Sequence, residues 1–310
     1  MTSSVLPFQV TNGIFGALGL GLNAFALRII WSGHMCARST VLFLRSQCIF
    51  DGYCSLLILL YQIIGDSIQT SSEGYNKFMC LLWSQHNLFW LGIMFGLYNI
   101  VSLSLDCMLA VVRPQFHRTH QLSISVSLYV FITVMSILLV MPNFFLRQYV
   151  NSTCVYTIPT RSTEKRSVSF RIYSVPWVIC ASVLPIFVSL MCTGVTIQHL
   201  LKATQPNVYK EIKTTVRILV FLIVAVFIFH FPENLRSILA LLRVNDYVPG
   251  SRDQQIGILL LVVNQCTNPC VLINSRISAN QLVSRLQSVA EKIKHDLKER
   301  SFRRSRNRTC

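Results

Sequence analysis

Seven apolar runs, each long enough to cross a bilayer, dominate the sequence. They fall near Ile14 to Trp31, Val41 to Ile64, Phe78 to Val112, Leu122 to Phe145, Tyr173 to Ile197, Arg217 to Leu242 and Ile256 to Ile273. A hydrocarbon core about 30 Å thick needs roughly 18 to 25 such residues in helical form, because a helix satisfies its own backbone donors and acceptors in lipid. Composition agrees. Hydrophobic residues make up 52%, charged residues 13% and the mean hydropathy is +0.51, too apolar for a soluble chain of 310 residues. The expected architecture is an all-α seven-transmembrane helix bundle over residues 1–275, followed over 276–310 by a cytoplasmic amphipathic helix and basic tail. The third run exceeds what a span requires and is expected to tilt or to project beyond the bilayer. No separate soluble domain, internal repeat or low-complexity tract interrupts this plan.

Lysine and arginine set the orientation. With the N-terminus outside, only nine of the 28 fall on the outer side, which the positive-inside rule favours. The tail supplies over half of the inner total, so the loops alone support this more weakly. The N-terminus carries no basic stretch before its apolar run, so span one is expected to act as the insertion signal. The net charge of +16 raises the question of nucleic acid. Much of it sits in the tail, where Leu282, Leu286, Val289, Ala290, Ile293 and Leu297 recur at helical spacing opposite Arg285, Lys292 and Lys298. A basic amphipathic helix directly after a span fits anionic inner-leaflet lipid better than nucleic acid.

Most of the eleven cysteines lie in or beside spans, where an unpaired thiol packs as a small apolar group. Cys80 and Cys154 fall together in oxidising space, and a bridge between them would pin the loop after span four over the mouth of the bundle. Beside it, Asn151-Ser152-Thr153 is a glycosylation sequon on the external side. Asn307-Arg308-Thr309 matches too, but on the cytoplasmic side.

Polar residues inside spans are expensive in lipid and should face the bundle interior. They include Asn23, Asp51, Asn264 and Asn268-Pro269. Together with Gly21-Leu22, Cys80, Trp83, the run Asp106 to Pro114, Pro185 and Pro232, they occur in an order that resembles the rhodopsin-like, class A G-protein-coupled receptors. The resemblance extends from span one to the amphipathic helix, and looks most like a divergent invertebrate member of orphan type.

The resemblance implies an extracellular ligand and a heterotrimeric G protein as partners, a plasma-membrane location, and a switch at the inner ends of spans three, five and seven. Here the switch is altered. Where the family has an arginine and a tyrosine after Asp106, this chain has Cys107 and Met108; the span-five tyrosine falls on Thr193, and that of the Asn-Pro-x-x-Tyr motif on Leu272. His230 stands where a tryptophan usually precedes Pro232. Asp106, deprived of its neighbour, is expected to pair with Arg113 or Arg118. Cys80 to Asp106 is also two residues longer than usual.

Asp51, Asn264 and Asn268 match positions where family members hold water and often a sodium ion, although a serine usual on span three is Gly96. A hydrated network that merely stiffens the bundle is an equal reading. Pro185, Pro232 and Pro269 would kink spans that a two-state bundle must bend, though static transporters carry such kinks as well.

Ligand candidates, by facing, are Tyr61, Gln62, His86, Asn87, Phe89, Trp90, Trp177, Glu233, Asn234, Gln254 and Ile258; plain bundle packing is the competing account of the aromatics. Phe89 occupies the aspartate position of the amine receptors, which disfavours a classical monoamine. Arg147, Arg161, Lys165, Arg166 and Arg171 above the cavity slightly favour an acidic peptide. Metal-ligand spacing and a Gly-rich phosphate loop are both missing from the sequence, so catalysis is not expected. The function expected is a receptor that signals to a G protein. One alternative is a receptor-like binder with weak or no coupling. Another is a transporter or channel, against which stand the lack of repeat symmetry and of a charged path across the bilayer.

Overall fold

A computed structural model of the chain describes residues 6–31, 38–65, 70–145, 147–150, 153–156, 175–202, 210–242, 252 and 254–275. The amphipathic tail helix, Asn151 and the basic loop residues from Arg161 to Arg171 lie outside this set. Two compact units are distinguished, Met1–Val271 and Leu272–Cys310. Of the second, the described part is the last helical turn of span seven.

Among the described residues, seven helices are long and apolar enough to cross a membrane. Span one is Leu6–Trp31, span two Arg38–Ile64, span four Pro114–Phe145, span five Val175–Lys202, span six Lys210–Leu241 and span seven Gln254–Ser275. Span three is two helices, Glu73–Leu82 and Asn87–Val112, joined by Trp83 and a 3-10 turn at Ser84–His86. Its long inner helix is the axis of the bundle and is buried along most of its length.

Span three carries a break within its long run. His86 adopts φ 65°, a left-handed conformation that a side chain with a Cβ resists. Side chains hold it there by taking up the carbonyls that the interrupted ladder frees. Asn87 Nδ2 donates to Leu81 O at 2.6 Å, and the Tyr61 hydroxyl donates to Trp83 O at 2.8 Å. The Trp83 indole in turn donates to Gly65 O at 2.8 Å, fixing the turn after span two. Such a break also accommodates the two extra residues between Cys80 and Asp106.

Span four begins at Pro114 rather than near Leu122, so the polar stretch before the apolar run is helical, with a kink at His120 (φ −111°, ψ 18°). Proline at a first helical position gives up no intrahelical donor. Span five holds a π-helical turn at Ile179–Val183, in which Leu184 N donates to Ile179 O. In that register Cys180 O would accept from residue 185, which is proline and has no N–H. The Tyr98 hydroxyl supplies the missing donor at 2.7 Å.

Strands β1 (Arg147–Val150) and β2 (Thr153–Tyr156) form an antiparallel hairpin after span four, with Tyr149 opposite Cys154. Cys154 is disulfide-bonded to Cys80, with a Cα–Cα separation of 5.5 Å. Asn76 Nδ2 adds a 3.2 Å hydrogen bond to the Tyr149 hydroxyl. The end carrying this hairpin is termed outer.

Span two packs tightly against span three at Gly92, where a Cβ would lie 2.5 Å from Cys54 Sγ and 2.7 Å from a Tyr53 ring carbon. Gly92→Val should therefore force the two spans apart and lower stability by about 1–3 kcal/mol. Thermal unfolding of purified protein checks this; an unchanged melting temperature would mean the contact yields easily.

Candidate functional site

At the outer end, Tyr61, His86, Trp90 and Trp177 come together. Tyr61 contacts the His86 ring edge-on at 4.3 Å between centroids, and Trp90 meets Trp177 at 5.8 Å. Phe89, fully buried, lies between His86 and Trp90 in the same chain of rings, at 6.4 and 6.0 Å. The rings therefore link spans two, three and five. Asn87 is engaged in bracing the break. Gln62 does not join them, since its Cγ would be 3.5 Å from a Cβ at Gly13 of span one. In span six Glu233 forms an ion pair with Arg236, one turn further along the helix. Gly257 of span seven passes directly over that pair, with no room for a side chain. Asn234 is half-buried beside it, and Gln254 and Ile258 are buried in span seven.

At mid-depth a polar network joins spans two, three and seven. Asp51 accepts from Gln47 Nε2 at 3.1 Å through one carboxylate oxygen and from Asn268 Nδ2 at 2.9 Å through the other. Asn99 of span three donates to Gln47 Oε1 and to Phe43 O, both at 2.9 Å. Asn23 ties span one to span seven by donating to Gln265 O at 2.9 Å. The amide oxygens of Asn264 and Asn268 are buried without partners among the described residues, as are those of Asn23, Asn99 and Gln265 in the same network. Asp51 and the adjoining Asn268 amide are oxygen donors of the kind a hard cation such as sodium takes. Gly96, whose Cβ would be 3.6 Å from Asp51 Oδ1, brings no further oxygen. Gln47 and Asn99 are absent from the sequence-based candidates, although Gln47, four residues before Asp51, shares its helical face.

The inner end differs most from expectation. Asp106 is wholly buried and pairs with neither Arg113 nor Arg118, both of which are exposed. Its Oδ2 accepts from Ser39 Oγ at 3.0 Å and Thr40 Oγ1 at 2.9 Å, while Oδ1 lies 2.8 Å from His117 Nε2. The early helical start at Pro114 explains this, since it turns His117 inward and leaves the flanking arginines in solvent. Gln121 adds a cap to span two: with its amide oxygen facing the helix start, it accepts from Ser39 N at 2.9 Å and Arg38 N at 3.1 Å. Ser39 and Thr40 are absent from the sequence-based candidates, because hydroxyl residues at a helix start read as ordinary caps for its backbone N–H groups.

Between spans three, five and six the inner end is shut by Val111, Leu200 and Val216, with Ile212 packed against them. Cys107 and Thr193 are buried, and Thr193 Oγ1 has no partner among the described residues. His230 is buried one turn's reach from Pro232 in span six. Pro269 follows Asn268 in span seven, and Leu272 lies in its final turn.

Residues 22–272, well over half of the chain, match the family model described as 7 transmembrane receptor (rhodopsin family). The chain belongs to the rhodopsin family of receptors. No curated protein matches it individually. As a rhodopsin-family receptor it is a multi-pass membrane protein of a signalling class, not of an enzyme family. At the inner end of its span three, Asp106 is followed by Cys107, which is buried beside it. The Asp106 carboxyl group takes its hydrogen-bond partners from span two and from the start of span four.

Proposed function

We propose that this receptor lies in the plasma membrane with its N-terminus outside, binds an extracellular ligand between the outer ends of the spans and engages a heterotrimeric G protein at the inner face. The observation that carries the proposal is the two-ended construction of span three. Its outer turns join the aromatic group of Tyr61, His86, Trp90 and Trp177, and its inner turns carry Asp106. A shift of the long, rigid inner helix would be felt at both ends. In the resting state Asp106 holds spans two, three and four together through Ser39, Thr40 and His117, so His117 stands in for the missing arginine as the partner of Asp106.

An acidic or neutral peptide fits better than a monoamine. A cationic amine would have to displace Arg236 from Glu233, and Phe89 offers it no carboxylate. The basic loop after span four would steer an acidic partner, and Asn151 would carry a glycan. Sodium at Asp51, Asn264 and Asn268 would stabilise the resting bundle, and the basic tail would lie on anionic inner-leaflet lipid.

A receptor-like binder that couples poorly is the second reading, favoured by the apolar closure of Val111, Leu200 and Val216 where a G protein would insert. Recruitment of a G-protein panel under peptide and small-metabolite libraries separates the two, with an N-terminal epitope labelled on intact cells. Saturable, ligand-specific recruitment is expected. Silence from a library member that stabilises the purified protein to heat would favour the second reading.

A further inference from the structure

The lipid-facing flank of spans one and two carries a cationic feature that ligand binding and signalling leave unused. Trp31, the last residue of span one, is 67% exposed, and the Arg45 guanidinium of span two lies over its ring at 4.7 Å from the centroid. Arg28, one turn before Trp31, shares that side of span one. A groove of about 400 Å³ runs along span one from this point, lined by Ala24, Leu27, Arg28 and Trp31.

Neither arginine has a carboxylate partner among the described residues. Arg45 Nε is buried with no acceptor among the described residues, seven residues and so roughly 10 Å of helix from the start of span two. A guanidinium at that depth is costly unless it reaches an interface or meets an anion. The complementary partner must be anionic at one end and apolar at the other. It must also approach from the acyl-chain side, which a soluble acidic peptide does not.

We propose that this flank binds an anionic phospholipid, its phosphate held by Arg45 and Arg28 and one acyl chain lying along Ala24 and Leu27 against Trp31. The site is separate from the basic tail. Assigning it to the inner leaflet rests on the proposed orientation, but the site itself does not.

The test uses the full chain in nanodiscs of phosphatidylcholine doped with brominated phosphatidylserine or brominated phosphatidylcholine. Quenching of Trp31 is taken as the difference between wild type and Trp31→Phe, with the tail present throughout. Brominated phosphatidylserine should quench Trp31 at about tenfold lower mole fraction than brominated phosphatidylcholine, and Arg28→Gln/Arg45→Gln should abolish the difference. Arg28→Lys/Arg45→Lys, which keeps the charge but loses the planar fork, should reduce it several-fold and serves if the glutamine pair does not fold. Equal quenching by the two lipids in wild type, or a preference unchanged in the arginine variants, would overturn the proposal.

Discussion

His117→Ala is expected to destabilise the receptor by about 3–5 kcal/mol, because it strands a buried carboxylate. Asp106 would keep Ser39 and Thr40 on one oxygen, but its other oxygen would lose the imidazole 2.8 Å away, and no described arginine is placed to replace it. Asp106→Asn should cost less, about 1–2 kcal/mol, since an amide oxygen still accepts from the two hydroxyls and no charge remains to solvate. The diagnostic result is the combination. Adding Asp106→Asn to His117→Ala should recover part of the lost stability, because the two side chains act as one unit. Thermal unfolding of the four proteins at equal purity checks this. Simple additivity would mean that Asp106 and His117 are neighbours without energetic coupling.

Opening the Cys80–Cys154 bridge is expected to cost about 2–5 kcal/mol, given the 74-residue separation it closes. In Cys154→Ala the hairpin would remain attached to the outer part of span three mainly through Asn76 and Tyr149, whose 3.2 Å hydrogen bond is long and half-exposed. That outer part is also a short helix beyond a break, braced by Trp83, Asn87 and Tyr61. Loosening the hairpin should therefore disturb the aromatic group as well as the loop. Lower surface expression and an earlier unfolding transition are expected, and treatment of wild type with a reductant should reproduce the latter. A reductant-insensitive transition would show that the bridge adds little to the folded bundle.

The bundle was legible because lipid enforces a simple rule: each crossing must be long, apolar and helical. The rule is silent about interruptions inside an apolar run. Ser84-Gln85-His86-Asn87 interrupts the apolar run without glycine or proline, and a short polar stretch inside a span does not by itself mark a break; this one is held by Tyr61 and Gly65 from the neighbouring span. The start of span four failed for the opposite reason. Residues 114–121 are polar and read as a loop, yet they are helical, with His117 and Gln121 directed at the base of span two. Distance along the chain hid these partners.

The candidate site divides in the same way. Cys80, Cys154, Asp51 and Asn268 could be found because position and chemistry together restrict what they can do. The aromatic residues could be listed but not arranged: Tyr61, His86, Trp90 and Trp177 meet, whereas Gln62 turns toward span one. Gln47 and Asn99 were missed because an amide in a span looks like many others until its partner is known. For Asp106 the need for a donor was correctly read, and the donor was not. Arg113 and Arg118 have the stronger charge, but the helical phase set at Pro114 presents His117.

The most direct test of a switch built on Asp106 is basal G-protein recruitment by His117→Ala, compared with wild type at matched surface density and at a temperature where both remain folded. If the Asp106 contacts hold the resting state, the variant should recruit a G protein without ligand, severalfold above wild type. Recruitment unchanged from wild type, in a variant shown by unfolding to have lost the contact, would contradict that account and leave Asp106 a structural anchor.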